Sequence, residues 1–379
     1  MVKYNKIIIL LIETFLLFHY AEINFSQLND KNRINELNDI TFINKNYSDG
    51  NKDKLNKQYI NVSVIIPVYN CEKTINSSIL SIQQQNLTNL EIILVNDLSQ
   101  DNSLKIINEF LKNDSRIKLI NNKQNHGTLY SRSIGALSAK GSYIFSLDND
   151  DEFYGNDSFD YIFKQAIEKK YDIINFRRIS VRNKKKLKVR LKYINKLNFN
   201  HSLTIHQPEL SIYPISRNGK FFSNSFFLWD KCIKTDIYQK AIQMLGNEIN
   251  SKNISYNEDI IIIFIIFSIS NSMKIINKYG IIHYIYKTST ARTRSIEYKI
   301  YCDIYLLDIL FRFSKNNSHK NLCVDYFLAN RKFLSKTSSK EYNLNLIQIL
   351  EKISKDLYIT EKNKILLKQI VKNIELKLK

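Results

Sequence analysis

The sequence predicts an α/β protein: a doubly wound, mostly parallel sheet with flanking helices, followed by a helical C-terminal extension. Three observations predict it. Short, largely β-branched apolar runs at 62–66, 90–95, 117–120 and 143–147 suit strands buried on both faces of a sheet. Apolar residues at helical spacing stand between these runs, so strand and helix alternate as in parallel sheets. Polar residues cluster directly after the strands, where α/β sheets bind their ligands.

Taken in order, the run 62–66 is ended by Pro67, and Ile75, Ile79 and Ile82 then recur at helical spacing after Glu72. The second run, 90–95, ends at Asn96 and Asp97 and completes a βαβ unit. The pattern continues with a helix at 104–111, a strand at 117–120, a helix at 129–139 and a strand at 143–147. Three strand ends therefore carry polar segments: 67–70, 96–101 and 148–152. Of only eight glycines, Gly127, Gly135 and Gly141 fall in one short segment. Glycine permits close backbone approach or an unusual φ, so this segment suits a ligand-facing loop with Arg132 beside a diphosphate. A helix boundary at Gly141 is a structural alternative.

A length of 379 residues bounds the architecture to one enzyme domain with appendages, and 44% hydrophobic residues exclude disorder of the whole chain. The 56 basic against 36 acidic residues give a net charge of +20. That favours anionic partners such as nucleotides or phospholipid, although abundant Asn, Ile, Lys and Tyr also fit a codon bias. No nucleic-acid-binding motif is present, and nucleic acid is not expected as a partner. Cys71, Cys232, Cys302 and Cys323 form no C-x-x-C pair and no disulfide framework.

Lys3 and Lys6 precede apolar runs at 7–12 and 15–18, interrupted by Glu13. Residues 1–25 thus read as a signal peptide or signal anchor that associates the chain with a membrane. The lysines before the run and Glu22 and Asp30 after it put the body in the lumen of the secretory pathway, ER or Golgi. Residues 26–60, rich in Asn, Lys and Asp, read as a flexible stem. Further on, Lys186, Lys188, Arg190 and Lys192 alternate with Leu187, Val189 and Leu191, the periodicity of an edge strand guarded by lysines. The segment 227–234 holds the only Trp, Trp229, and Asn257, Glu258 and Asp259 precede an apolar stretch too short to span a membrane. Residues 291–379 show helical spacing and no functional motif.

Four segments stand in order: V-S-V-I-I-P-V-Y-N (62–70), V-N-D-L-S-Q-D-N-S (95–103), N-H-G-T-L-Y-S-R-S-I-G (125–135) and G-S-Y-I-F-S-L-D-N-D-D (141–151). Together they resemble family 2 glycosyltransferases of the GT-A fold. The resemblance covers 61–290, with 61–151 as the nucleotide-binding half and 152–290 as the acceptor half. It implies a nucleotide-sugar donor, UDP-linked, and a divalent metal, Mn2+ or Mg2+, because a leaving diphosphate develops charge that a hard cation neutralises.

By the same resemblance, Asp150 approaches the metal directly, Asp148 meets the ribose or the metal's waters, and Asp151 caps or supports them. Pro67, Tyr69, Asn70, Glu72, Asp97, Arg132 and Asp148 line the nucleotide, with Asp97 on the base. Asn96 departs from the acidic residue usual there. Trp229, Lys231 and Glu258 face the acceptor, which is a glycan, a protein or a lipid-linked hydroxyl. Asp259 is the matching position for the base of an inverting transfer, and a helix N-cap is its structural alternative. Arg292 and Arg294 fall in a loop that closes over the diphosphate in family members. The competing classes are a non-catalytic nucleotide-sugar or glycan-binding protein on the same fold, and nucleotidyl transfer.

Overall fold

Strands β1 (Val62–Val68) and β2 (Leu90–Asn96) are buried at every position, which is why they read as largely apolar runs. With β3 (Ile117–Asn121) and β4 (Tyr143–Ser146) they form a parallel set in the order β3-β2-β1-β4. The registers run Val62↔Leu90 to Val68↔Asn96 and Val62↔Tyr143 to Ile65↔Ser146. The chain winds outward from β1 to β3 and then returns to lay β4 on the other side of β1. This places a topological switch between β1 and β4, where open α/β sheets bind ligands.

The crossovers are α1 (Ile75–Gln83), α2 (Ser103–Asn113) and α3 (Thr128–Ser138). Side chains alternate across the sheet. Val62, Val64, Ile66 and Val68 share a core with Ile75, Ile79 and Ile82 of α1 and Ile107 of α2. Ile65 packs on the opposite face with Leu129 and Ala136 of α3. Helix α3 approaches β1 so closely that a Cβ on Gly135 would lie 2.5 Å from Cγ2 of Ile65.

Pro67 does not end β1, which runs on to Val68. The ladder with β4 stops at Ile65↔Ser146, and the Pro67 carbonyl on that side takes Nδ2 of Asn149 (2.8 Å) instead. The missing N–H of proline thus falls where no strand needs it.

The sheet continues with β5 (Glu152–Phe153), helix α4 (Ser158–Glu168), β6 (Ile173–Val181), β7 (Leu203–His206), β10 (Lys231–Lys234) and β11 (Ser272–Tyr284). Strands β8 (Ile215–Arg217) and β9 (Lys220–Phe222) pair separately. The full order is β3-β2-β1-β4-β10-β6-β11-β5, with β7 also on β11. Strand β10 runs antiparallel to β4 and β6 while β11 runs parallel to β6, so the sheet is mixed, with a four-stranded parallel set in its first half.

Helices α5 (Thr235–Leu245) and α6 (Glu248–Ser251) lead to α7 (Glu258–Ile269), which is apolar all round and buried at every residue from Ile261 to Ser268. Helix α8 (Ile296–Phe313) covers it with Cys302, Tyr305, Leu306 and Ile309. Its other side, through Ile304, Leu307 and Phe311, joins a core with α9 (Lys340–Ser354) and α10 (Glu361–Leu378). The C-terminal helices are therefore fixed to the sheet domain through α8.

The computed structural model describes residues 60–182, 203–206, 215–217, 220–222, 227–251, 253–286, 295–314, 320, 340–356 and 359–378, all within the unit Gln58–Lys379. The expected signal or anchor at 1–25, the stem up to residue 59, the lysine-rich alternation at 184–192, and Arg292 and Arg294 lie outside them. Among the described residues no helix is long and apolar enough to cross a membrane.

Candidate active site

The loops that leave β1 and β2 clasp each other. Asn70, at φ +48°, accepts the Gln100 amide on its side-chain oxygen (2.7 Å) and donates its own amide to Ser99 Oγ (3.1 Å). Glu72 accepts from the backbone and side chain of Asn102 (3.0 and 2.8 Å), and its amide reaches Asp101 (2.9 Å). Asn70 and Glu72 thus build the rim, and Tyr69 stands on it, 43% exposed. Asn96 is buried and links β2 to Asn121 of β3 (3.0 Å), a use that needs no charge.

Asp97 is buried, and both of its oxygens are engaged by the fold. Oδ1 accepts from the His126 amide (2.9 Å) and from Asn122 Nδ2 (2.8 Å), and Oδ2 accepts from the Gly127 amide (2.8 Å). The carboxylate fixes the turn that opens α3. Gly127 sits there at φ +88°, where a Cβ would lie 2.6 Å from Asn253 Oδ1. The turn thus needs glycine for both backbone and space.

Behind β4 the D-N-D-D loop is held from below: Ser78 of α1 donates to the carbonyls of Asn149 (3.0 Å) and Asp151 (2.8 Å). Ligand oxygens of Asp148, Asp150 and Asp151 all lie within 4.8 Å of one another. Two bonds of ~2.1–2.5 Å to one hard cation span such a separation, so the cluster fits an oxygen-bound divalent metal. Burial, then Asp151 and Asp148, push the Asp150 carboxyl well above its ordinary value, a cost that a bound dication would relieve. Asp151 is turned into the fold, accepting the Tyr284 amide (2.8 Å) and facing His283 Nδ1 (2.9 Å).

Arg132 of α3 is 1% exposed and joins the two motifs. Its Nη2 contacts Asp148, and its Nε lies 3.6 Å from Glu258 and 3.4 Å from Asp259. One buried guanidinium therefore serves three carboxylates. Burial raises the pKa of both Glu258 and Asp259, with Arg132 opposing it in each case. Asn257, not Asp259, occupies the N-cap of α7, and its side chain bonds Asp303 of α8 (2.7 Å). Asp259 is thus free of the capping role and faces the site.

Trp229 and Lys231, expected at the acceptor, are both buried. Lys231 Nζ is held by Asp230 (2.6 Å) and the Phe227 carbonyl (2.8 Å). Trp229 is stacked between Phe227 (4.7 Å) and His283 (4.9 Å). His283 was not legible as a site residue: it lies on a strand 132 positions from Asp151, with no motif around it. Burial opposes its charge, but Asp151, Asp148 and Asp150 outweigh that and raise its pKa above 6.5.

A family model described as Glycosyl transferase family 2 matches residues 63–228, which carry β1, the clasped loops, Arg132 and the acidic cluster. Over these residues the chain is similar to glycosyl transferase family 2. An uncharacterized glycosyltransferase of Haemophilus influenzae is 45% identical over 96 residues, 25% of this chain and 38% of that protein. The chain spans about a third of the length of the curated relatives it first matches: 38%, 37% and 32%. A cholesterol galactosyltransferase of Borreliella burgdorferi matches more broadly, 26% identical over 77% of this chain and 83% of its own. The crystal structure of S. aureus TarS 1-349 in complex with UDP-GlcNAc shares the fold, with TM-score 0.59 and 16% identity over 84% of this chain and 88% of that one. The matched segment thus covers the acidic cluster, while Glu258 and Asp259 lie beyond it.

Proposed function

We propose that this chain is a glycosyltransferase that moves a sugar from a UDP-linked donor to an acceptor hydroxyl on a glycan, protein or lipid-linked molecule. One observation carries the reading: Arg132 joins the acidic cluster after β4 to the carboxylates that open α7, which supports a metal ligand set and a base acting together at the switch of the sheet. The relatives' names support sugar transfer, and the UDP-GlcNAc complex of TarS supports a UDP-linked donor.

Asp148 and Asp150 would hold Mn2+ or Mg2+, which when bound neutralises charge developing on the leaving diphosphate. The chain's own residues do the rest. Asp259 takes the proton of the acceptor hydroxyl as its oxygen attacks the anomeric carbon from the face opposite the diphosphate, inverting that centre. The raised pKa suits a base that must accept this proton and later release it. Arg132 keeps Asp259 and Asp148 in fixed relation. Residues 1–25 support delivery to, or anchoring at, a membrane with the body on the lumenal side.

The test is to incubate the purified chain with a nucleotide-sugar panel, an acceptor mixture and Mn2+ or Mg2+, and to assay nucleoside diphosphate release. Metal-dependent release from a UDP-sugar is expected. Tight donor binding without release would instead mark a binding protein.

A further inference from the structure

Phe227 is a large apolar side chain left exposed beside the site, at 40%. Its inner face stacks on Trp229 with centroids 4.7 Å apart and planes at 20°. The guanidinium of Arg178, on β6, lies 4.7 Å from the centre of Phe227 and 5.0 Å from that of Trp229. A group so close to both stacked rings lies along their edges, so it does not cover the outer face of Phe227. Asp230 sets the edge, reaching Lys231 Nζ at 2.6 Å and Arg178 Nη1 at 3.3 Å.

This ring stands next to the chemistry in two ways. The following residue, Leu228, has its backbone close enough to the Asp259 carboxyl to lower its pKa. On the other side Trp229 stacks on His283, whose Nδ1 meets Asp151 of the acidic cluster. An exposed aromatic face is thus next in sequence to the residue beside the proposed base, and its stack leads through His283 to Asp151 of the acidic cluster.

We infer that Phe227 is the platform for the acceptor and that the acceptor is a saccharide, its pyranose ring lying on the outer face of Phe227 with one hydroxyl turned toward Asp259. The inference rests on the glycosyltransferase reading and names its second substrate. A pyranose presents an apolar C–H face about the size of one aromatic ring, bordered by hydroxyl groups. The surface here has that form: one exposed ring, bordered by the donors of Arg178. A sterol or acyl chain needs a longer apolar contact and would lay it against Arg178, Asp230 and His283, stripping those groups of water without pairing them. A peptide hydroxyl would leave the ring unused.

The test uses the full chain with its UDP-sugar donor and Mn2+. The acceptor probes are p-nitrophenyl monosaccharides, a Ser/Thr peptide, and cholesterol in detergent. Transfer to a saccharide is expected. Phe227→Ala and Phe227→Leu should raise the acceptor KM roughly tenfold with a smaller effect on kcat, the scale of losing one stacking partner, and Phe227→Tyr should restore it. Circular dichroism checks that each variant is folded, and the leucine variant keeps apolar bulk without a ring. An acceptor KM within twofold of wild type in both ring-less variants overturns the inference, as does transfer confined to the peptide or the sterol. Wild-type chain that releases no nucleoside diphosphate with any donor and acceptor overturns the glycosyltransferase reading itself and this inference with it.

Discussion

Nε of Arg132 lies 3.4 Å from Oδ1 of Asp259, and neither buried atom has a hydrogen-bond partner. The contact is an attraction between charges without a directed bond. Such a pair is held by its surroundings and keeps both atoms available to a third group. Arg132 Nη1 is also buried without a partner, so the guanidinium retains donors that a diphosphate oxygen or an acceptor hydroxyl would satisfy.

Arg132→Met should therefore be costly. Removing the cation leaves Glu258 and Asp259 largely buried, and Asp148 beside them, around an apolar side chain, and breaking such a pair costs about 3–5 kcal/mol. Urea unfolding followed by circular dichroism should show that loss. Arg132→Lys, which keeps one charge but not the fork, should recover part of it. A stability within 1 kcal/mol of wild type for the methionine variant would mean that the cluster is not held by this guanidinium.

The first half of the sheet was legible because strands buried on both faces are largely apolar, as Val62–Val68 and Leu90–Asn96 are, their buried polar members being paired, Ser63 with Glu91 and Asn96 with Asn121. The strand ends were legible for the converse reason, since polar side chains gather where the sheet stops. What the sequence did not display is partnership. Asp97 looks like a nucleotide contact until His126 and Gly127, 29 and 30 positions later, are seen to occupy it. Trp229 and Lys231 look like acceptor contacts, yet the ring stacks on His283 and the ammonium meets Asp230, leaving Phe227 as the exposed member. The antiparallel β10 was not legible either, because its direction is decided by a connection that carries no motif.

Metal dependence should follow Asp150. Asp150→Asn replaces a carboxylate with a neutral amide, a poorer ligand for a hard dication, and should abolish the gain in UDP affinity that Mn2+ brings. Titration calorimetry with and without metal reads this directly, and chelator should reduce the wild type to the level of the variant. Unchanged metal-dependent affinity in a folded variant would remove Asp150 from the site.

The buried carboxylates also predict how stability depends on pH. In the unfolded chain Asp259 and Glu258 titrate near 3.8 and 4.5, whereas burial holds both pKa values higher in the fold. Above those unfolded values the folded state therefore carries more protons than the unfolded one. The sign follows: their contribution is fully present below about pH 4 and is lost as pH rises through the folded values. The urea midpoint of the metal-free protein should fall between pH 5 and pH 8 more steeply in wild type than in Asp259→Asn. Equal slopes would mean that Asp259 titrates normally. In the same variant, turnover should drop by ~10²–10⁴-fold while UDP affinity holds, as expected for loss of a general base.

The role of Asp97 separates two accounts of the same residue. If it chiefly reads the nucleobase, Asp97→Ala should weaken UDP binding and leave the fold intact. The structure gives it other work, since it accepts the amides of His126 and Gly127 and the Asn122 side chain inside a buried turn. Removing the carboxylate strands two main-chain donors, each costing about 1–3 kcal/mol if no water replaces it. The turn is closely packed, since a Cβ on Gly127 would meet Asn253, Ile254 and Ser255. Asp97→Ala should thus lower the urea midpoint markedly, and Asp97→Asn, which keeps one acceptor oxygen, should lower it less. Gly127→Ala supplies an independent check, because it disturbs the same turn by sterics and should destabilise in the same direction without touching the carboxylate. A variant series in which UDP affinity falls while all three midpoints stay at the wild-type value would return Asp97 to the base.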